Sequence, residues 1–199
     1  MLGELHEARH AKVMALLKAQ AARSVVDLGC GSGLLLARMA AEPDFIRLVG
    51  VEQEADGLAM ARRLVEESGH GDKVSFIAGS YQDAGLSLTG FDAALMIETL
   101  EHNPPDRLDQ VATTVFQHFR PGQVILTTPN VEYNPLYGLP PGEFRESGHY
   151  FEWSRTRFRQ WCRRVAERFD YQVAVSGIGD DDPDLGPPTQ LANFRLIET

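Results

Sequence analysis

Hydrophobic and polar positions along this chain follow two different periods. Short apolar runs rich in β-branched residues recur, and amphipathic segments with apolar residues three or four positions apart separate them. Strands that alternate with helices are typical of a mostly parallel sheet covered by helices on both faces. We therefore predict an α/β protein with a seven-stranded sheet. The predicted strands are Ser24–Leu28, Arg47–Glu52, Val74–Gly79, Phe91–Ile97, Val124–Thr128, Tyr171–Ile178 and Phe194–Ile197.

The segments beside these strands predict helices. Asp56 and Ser154 are the expected N-caps of two of them, and the pair Pro121-Gly122 ends another. Residues 129–152 are rich in proline, glycine, tyrosine and asparagine, and a loop of that length is uncommon unless it is functional or disordered. We expect this loop to carry substrate and metal contacts. The predicted helices are 5–18, Leu34–Ala41, Asp56–Ser68, Pro104–Phe119 and Ser154–Phe169.

Composition limits what the protein can be. The 199 residues are 43% hydrophobic and 24% charged, which is close to the average for one globular domain, so we expect a single domain over 1–199 with an N-terminal helix inside 1–20. No apolar run is long enough to span a membrane, and no secretory signal is readable at the start. The formal charge of −9 argues against nonspecific coating of nucleic acid. Two distant cysteines, Cys30 and Cys162, favour a reducing, cytoplasmic compartment.

The first predicted strand ends in a glycine-rich loop with a G-x-G-x-G pattern that starts at Gly29 and ends at Gly33. Asp27 stands two positions before the first glycine, and Glu52 ends the second strand, where a carboxylate can accept both ribose hydroxyls of a nucleoside. This order resembles the Rossmann-like class I S-adenosylmethionine-dependent methyltransferases, whose acidic residue before the glycines helps to hold the methionine end. A nicotinamide Rossmann site and a vestigial loop are the alternatives.

The same resemblance implies contacts after the third strand. In that family this region meets the adenine, and Asp83 is a candidate acceptor for the exocyclic amine, whereas an ordinary polar turn is the alternative. The cofactor-binding residues that we expect are Asp27, Gly29, Gly31, Gly33, Glu52, Ser80, Tyr81, Asp83 and Ile97.

Ionisable residues also cluster after the fourth strand. Glu98 lies three positions before Glu101 and four before His102, so in a helical turn all three side chains share one face. Strand five brings His149 to the same edge of the sheet, where parallel sheets bind their ligands. A divalent cation would resolve the charge, and oxygen with imidazole ligands suits Mg²⁺, Mn²⁺ or Zn²⁺. A solvated acidic turn with hydrogen-bonded surface histidines is the alternative.

Three motifs in order resemble a more specific family. The segments E-x-x-E-H from Glu98, T-P-N-V-E-Y-N from Thr128 and H-Y-F-E-W from His149 look like the small-RNA 3′-terminal ribose 2′-O-methyltransferases, which include plant microRNA methyltransferases and bacterial RNA-repair enzymes. The resemblance extends from about Ser24 to Phe194. It implies Mg²⁺ or Mn²⁺ bound to the 2′- and 3′-hydroxyls of the last nucleotide. The implied metal-ligating and catalytic residues are Glu98, Glu101, His102 and His149.

The implied reaction is methyl transfer from S-adenosylmethionine to the 2′-hydroxyl of the 3′-terminal ribose of RNA. Metal coordination would lower the pKa of that hydroxyl, and the general base stays open. A small-molecule O-methyltransferase is the alternative. We expect a monomer whose partners are an RNA 3′ end and RNA-repair proteins, and which is either an excised domain or a stand-alone member. One departure concerns metal affinity: Ser147 and Gly148 stand where the family has an acidic residue before the last histidine.

Other polar residues have two possible roles each. Asn130, Glu132, Tyr133 and Asn134 begin the long loop and are candidate substrate contacts, with Tyr133 stacking on a terminal base; loop-anchoring hydrogen bonds are the alternative. Arginines recur every four positions along the last helix and face either RNA phosphates or solvent. Two histidines four positions apart, His6 and His10, are interpreted as residues of a surface helix.

Overall fold

The computed structural model describes residues 2–197, and its centre is one seven-stranded sheet. The strand order is β3-β2-β1-β4-β5-β7-β6, and β7 is the one strand that runs antiparallel to its neighbours, β5 and β6. The strands are β1 (Ser24–Leu28), β2 (Arg47–Glu52), β3 (Val74–Ala78), β4 (Ala93–Ile97), β5 (Gln123–Pro129), β6 (Tyr171–Ile178) and β7 (Thr189–Leu196).

Helices cover both faces of the sheet. Successive residues of β1 point to opposite faces: Val25 packs in the apolar cluster formed with α1, α2 and α3, and Val26 packs in the cluster formed with α4 and α5. Within residues 2–197, none of these helices combines the length and the apolar character needed to cross a bilayer. The helices are α1 (Leu2–Ala19), α2 (Leu34–Ala41), α3 (Ala55–Glu67), α4 (Leu108–Ala112) and α5 (Arg155–Phe169).

The predicted fold class is confirmed, but several element bounds differ from the prediction. The expected helix Pro104–Phe119 is a 3₁₀ turn at Pro105–Arg107, then α4, and then a π-helix at Thr113–Phe119. At the change from α to π, the Thr113 hydroxyl donates to the Asp109 carbonyl at 2.9 Å, a back-bond of the kind that disturbs helix geometry.

The last strand is longer than its apolar pattern predicted, because it begins at Thr189 instead of Phe194. Its first half carries buried polar side chains that pair with neighbouring elements, so apolar periodicity does not reveal it. The Gln190 side-chain amide donates to the carbonyl of Trp153 at 2.9 Å, and the Asn193 side chain accepts from Gln123 Nε2 at 2.8 Å. Asp56 lies in the first turn of α3 and is not its N-cap.

The long loop after β5 is closed at its base. Asn130 and Trp153 form a parallel β-bridge, and the Val131 amide donates to the Trp153 carbonyl at 3.3 Å. Inside the loop, Val131–Tyr137 forms a 3₁₀ helix. Because β1, β2, β4 and β5 are parallel, their carboxyl ends meet the base of this loop at one edge of the sheet.

Candidate active site

The glycine loop shapes the start of a cleft at this edge. Gly29, Gly31 and Gly33 all have positive φ, at 81°, 51° and 76°. A Cβ on Gly29 would lie 2.6 Å from Thr99 Oγ1, so Gly29 allows the loop after β1 to approach the turn after β4. A Cβ on Gly31 would meet nothing within 4 Å, because that residue faces open space. Within this loop, Gly29 is therefore packed against Thr99, whereas Gly31 faces the cleft.

The Glu52 carboxylate is fixed at the end of β2 beside this loop. Its Oε2 accepts from the Gly31 amide and its Oε1 from the Glu54 amide, both at 2.9 Å. Glu52 lines a cavity of about 400 Å³, a size suited to a small organic ligand. The cavity is also lined by Gly29, Gly31, Ser80, Tyr81, Glu98 and His102.

Asp27 lies in a second, smaller cavity of about 240 Å³ that also includes Gly31, Ile97 and residues of α1. Burial, and then the nearby Glu52 carboxylate, raise the pKa of Asp27 to about 7. A ligand with an ammonium group would hold this carboxyl in its charged form. His10 of α1 lines the same cavity and is 4% exposed, so this histidine lies on the buried side of the helix, whose other side is exposed.

Two residues expected to meet the adenine have internal partners. The Tyr81 hydroxyl donates to the Thr99 carbonyl at 3.1 Å and accepts from Asn103 Nδ2 at 2.7 Å, so the tyrosine lines the 400 Å³ cavity with its polar group already engaged. Asp83 Oδ1 accepts from the Gly85 amide at 2.8 Å, and Asp83 lines a neighbouring cavity instead. This arrangement favours the polar-turn interpretation of Asp83.

Three of the four predicted metal ligands lie together. The candidate ligand atoms of Glu101, His102 and His149 are all within 4.8 Å of one another. Glu101 and His102 belong to a 3₁₀ turn directly after β4, and His149 comes from the long loop. The Tyr150 amide donates to the Glu101 carbonyl at 2.9 Å, which holds the His149 segment against that turn.

Hydrogen bonds orient both imidazoles. His102 Nδ1 donates to the Gly148 carbonyl at 3.1 Å, and His149 Nδ1 donates to Glu152 Oε1 at 2.7 Å. Each Nε2 is then left as the atom with a lone pair for a cation. The absence of an acidic residue before His149 therefore does not deprive it of a carboxylate partner, because Glu152 supplies one from three positions later.

The Glu101 carboxylate fits a cation. Its Oε2 accepts from the Thr128 hydroxyl at 3.0 Å, whereas its Oε1 is buried without a hydrogen-bond partner. Burial, and then the Glu98 charge, raise the pKa of Glu101 well above its ordinary value. Glu98 Oε1 is likewise buried without a partner. Carboxylate oxygens without partners, beside two oriented imidazoles, are a donor set that could hold a divalent cation.

Glu98 itself stands slightly apart from that group. Its backbone is left-handed, with φ at 51°, and its amide donates to the Thr127 carbonyl at 3.1 Å. Its Oε2 lies 3.2 Å from Arg9 Nη2 of α1. Glu98 lines both the 400 Å³ cavity and a third cavity, so it marks the junction between them.

This third cavity has a volume of about 740 Å³, and His102 and His149 lie at its wall next to Glu98. Tyr137 and Arg145 of the long loop line it as well, with the Arg145 guanidinium carbon 4.9 Å from the Tyr137 ring centroid. A stacked aromatic ring and guanidinium beside the cluster of Glu101, His102 and His149 can receive a planar, polar ligand.

The predicted substrate contacts at the start of the loop hold the loop together. Asn130 Nδ2 donates to the carbonyls of Leu185 and Pro187 at 2.8 and 2.9 Å. The other two polar side chains are engaged as well: Asn134 bonds Glu152 and Arg145, and Glu132 bonds Arg155. These contacts favour the loop-anchoring alternative for all three. Tyr133 packs against Tyr137, with ring centroids 5.3 Å apart.

Sequence reasoning missed three residues of the site: Arg9, Arg145 and Glu152. Glu152 had a usable signal, since an acid three positions from a histidine is within reach of it in a turn. Arg9 had none, because its partner Glu98 lies 89 positions away in the sequence.

The fold and the glycine loop define a class I S-adenosylmethionine-dependent methyltransferase, and a methyltransferase-domain family model matches residues 25–122. The solved methyltransferase domain of a bacterial Hen1 (CtHen1-C) is 35% identical, with a TM-score of 0.87 over 98% of this chain and 100% of that one. The small RNA 2′-O-methyltransferase of Rattus norvegicus is 33% identical over 96% of this chain.

A solved small RNA methyltransferase HEN1 is 29% identical, with a TM-score of 0.89 over 98% of this chain and 26% of that chain. The chain thus belongs to the small RNA 2′-O-methyltransferase family. It spans about half the length of the rat relative, 51%.

Proposed function

We propose that this chain transfers the methyl group of S-adenosylmethionine to the 2′-hydroxyl of the 3′-terminal ribose of RNA, with Mg²⁺ or Mn²⁺ bound at the site. The observation that carries the proposal is the position of the Glu101, His102 and His149 cluster. It lies where the cavity suited to the cofactor meets the 740 Å³ cavity, and Glu98 and His102 line both. Family membership supports the same assignment.

The ligands of the ion would be Glu101, His102 and His149, with Glu98 as the fourth. When bound, a divalent cation lowers the pKa of a coordinated hydroxyl and so makes an alcohol a better nucleophile. The chain's own residues set the geometry for this chemistry. Glu152 and the Gly148 carbonyl each accept from an Nδ1 atom, which fixes both imidazole rings and leaves each Nε2 lone pair available to an ion. A divalent cation held by these residues would also have to accept both hydroxyls of a vicinal diol for this reaction.

The 740 Å³ cavity supports a terminal nucleoside as the substrate group. Its volume suits a ligand of that size, and Tyr137 offers a ring face for a base. Arg145 adds a cation to a chain whose formal net charge is −9. RNA-repair partner proteins, a monomeric state and a cytoplasmic location stay predictions.

Methylation assays with defined RNA ends test the proposal. Labelled S-adenosylmethionine should label an RNA that ends in a 2′,3′-diol. Ends that are 2′-deoxy, 3′-phosphorylated or oxidised by periodate should stay unlabelled, and a chelator should abolish labelling until Mn²⁺ is restored. Equal labelling of the 2′-deoxy end would contradict the proposed acceptor. Labelling of a small vicinal diol but not of RNA would favour a small-molecule O-methyltransferase.

A further inference from the structure

Helix α5 is rich in arginine, although the chain as a whole is acidic. Its exposed side carries five arginines, and Glu167 is the one acidic residue of the helix, whereas the formal net charge of the chain is −9. Like charges four positions apart, such as Arg159 and Arg163, repel each other and destabilise a helix. A ligand of negative charge would offset this repulsion. The exposed arginines are Arg157, Arg159, Arg163, Arg164 and Arg168.

Three of these arginines, Arg159, Arg163 and Arg164, form a basic face without carboxylate partners. Within residues 2–197 their side chains make no ion pair and no hydrogen bond. Arg159 lines a surface cavity together with Asp181 and Asp182 but pairs with neither. The basic face is therefore free to bind an anion from outside the chain. The other arginines of the helix are engaged: Arg155 with Glu132, Arg157 over the Trp153 ring and Arg168 with Asp109.

Helix α5 starts at the same edge of the sheet as the candidate active site. Trp153, which precedes the N-cap Ser154, forms the β-bridge with Asn130 that closes the long loop. Beyond the other end of the helix, the Tyr171 hydroxyl donates to the Pro121 carbonyl at 2.7 Å, just before β5 begins at the opposite edge. At 1.5 Å per residue the helix therefore leads away from the site for about 22 Å along the side of the protein.

The 3₁₀ helix Val131–Tyr137 connects the first turn of α5 with the 740 Å³ cavity. Glu132, near one end, accepts from Arg155 Nε at 2.9 Å, and Tyr137 at the other end lines the cavity. Burial opposes the ionisation of Glu132, but hydrogen bonds from Arg155 and the nearby charge of Arg159 lower its pKa. The five residues between these ends span about 10 Å. A strand with its 3′ end in the cavity can cover that distance with about three nucleotides.

We propose that the basic face of α5 binds the phosphodiester backbone of the RNA upstream of its 3′-terminal nucleotide. The inference rests on the proposed function for the choice of RNA as the ligand. The connection between α5 and the cavity favours RNA over an acidic protein, because the nucleotides next to a bound 3′ end must pass close to this helix. Phosphate contacts carry no sequence information, so this face selects for the length of the strand and not for its bases.

The salt dependence of RNA binding tests this assignment. The probe is a single-stranded RNA of about 12 nucleotides with a 3′-phosphate, which the proposed reaction cannot methylate. Replacing Arg159, Arg163 and Arg164 together by Gln should weaken its binding about 30–100-fold at 0.1 M salt in fluorescence anisotropy. The slope of log K against log salt should become shallower by about 2, because each phosphate contact on a single strand contributes about 0.7.

Two further variants separate phosphate binding from other effects. The corresponding triple Lys variant should keep the slope, because lysine retains the charge. The matched control is the triple Gln variant at Lys18, Arg62 and Arg63, which removes the same charge from α1 and α3 on the other face of the sheet. It should change RNA affinity by less than about twofold, since exposed charges far from the bound strand are screened by salt.

Binding of S-adenosylhomocysteine, measured by calorimetry, detects damage to the fold. None of the three arginines of the basic face lines a cavity assigned to the cofactor, so the glutamine variant should keep the affinity of the wild type. A parallel loss of this affinity would give the basic face a structural role and overturn the inference.

The remaining outcomes also decide between the alternatives. Unchanged RNA affinity and salt slope in the glutamine variant would overturn the inference and leave the basic face to an acidic protein. An equal loss in the control variant would reduce the effect to net charge and overturn it as well. If the wild type binds RNA with the expected salt dependence but methylates no RNA with a 2′,3′-diol, the proposed function fails while the inference is supported.

Discussion

His149 Nδ1 lies 2.7 Å from Glu152 Oε1, and Glu152 in turn accepts from the side chain of Asn134 at 2.6 Å and from the amide of Arg145 at 2.8 Å. Burial opposes ionisation of Glu152, but its hydrogen bonds with His149 and Asn134 prevail and lower its pKa. The carboxylate therefore stays charged near neutral pH and fixes the orientation of the imidazole.

Glu152→Gln should weaken metal binding while sparing the fold. An amide oxygen is a poorer acceptor for the Nδ1 proton, so we expect a loss of Mn²⁺ affinity of about 10–100-fold. Titration calorimetry with Mn²⁺ measures this loss. Glu143→Gln is the control, because Glu143 is an exposed carboxylate of the same loop. An effect of the control equal to that of Glu152→Gln would contradict the assignment.

Glu101→Gln should remove the response of stability to metal. A ligand present at 100 times its Kd stabilises the folded state by about 2.7 kcal/mol. We expect Mn²⁺ to stabilise the wild type in this way and to leave Glu101→Gln unaffected in urea denaturation. Without metal, the variant should be more stable than the wild type by about 1–3 kcal/mol, because it removes a buried charge next to Glu98.

The control for this experiment is Glu143→Gln, at an exposed carboxylate of the same loop. It should keep the full stabilisation by Mn²⁺. Unaltered stabilisation of the Glu101 variant would show that the ion does not need this carboxylate.

Tyr137→Ala should weaken RNA binding more than it slows methyl transfer. Stacking of one base on an aromatic ring contributes about 1–3 kcal/mol, so we expect KM for RNA to rise at least fivefold while kcat changes little. Steady-state kinetics with a short single-stranded RNA provides both constants. Leu136→Ala is the control, because Leu136 is 52% exposed and does not line the cavity. A lower kcat at constant KM would place Tyr137 in the chemical step instead.

Asp27→Asn should stabilise the protein without cofactor, and more so at higher pH. Folding raises the pKa of Asp27 from 3.8 to about 7, so the carboxyl costs stability increasingly between these values and fully above pH 7. At about 1.36 kcal/mol per pKa unit the upper limit is about 4 kcal/mol. Urea denaturation at pH 4 and pH 8 should show a small gain at the lower pH and the larger gain at the higher one.

Asp27→Asn should weaken cofactor binding, although it stabilises the cofactor-free protein, because the amide cannot form an ion pair with an ammonium group. The control is Asp92→Asn. Burial opposes ionisation of Asp92, but the amides of Ser24 and Arg23 donate to it and lower its pKa. That variant should therefore lose stability at pH 8. A loss of stability at pH 8 in Asp27→Asn would refute the predicted cost.

The sequence predicted those parts of the fold that have a strong apolar pattern. The strands β1, β2 and β4 are nearly continuous apolar runs because helices cover them on both faces, and such runs stand out in a sequence. The start of β7 could not be recognised, since Thr189 and Gln190 are buried polar residues whose partners lie on distant segments. Hydrogen-bonded polar pairs of that kind do not recur at a fixed spacing in the sequence, so no periodic pattern indicates the strand.

The candidate site divides in the same way. Glu101 and His102 follow a central strand, and the loop with His149 follows its neighbour, so parallel topology predicts that they meet at one edge of the sheet. The roles of Asn130 and Asn134 could not be predicted, because a loop asparagine that binds substrate and one that anchors its own loop look identical in a sequence. The contact of Arg9 with Glu98 depends on where α1 packs against the rest of the protein, and the sequence does not reveal that tertiary contact.

The β-bridge between Asn130 and Trp153 at the base of the long loop affects how well the protein tolerates insertions and deletions in that loop. Because the two stems are already joined there, the entropy of closing the loop grows only slowly with each residue inserted beyond them. Its outer part can therefore lengthen or shorten while the sheet beneath keeps its shape. The length of the loop that lines the 740 Å³ cavity can therefore change without a change in the sheet.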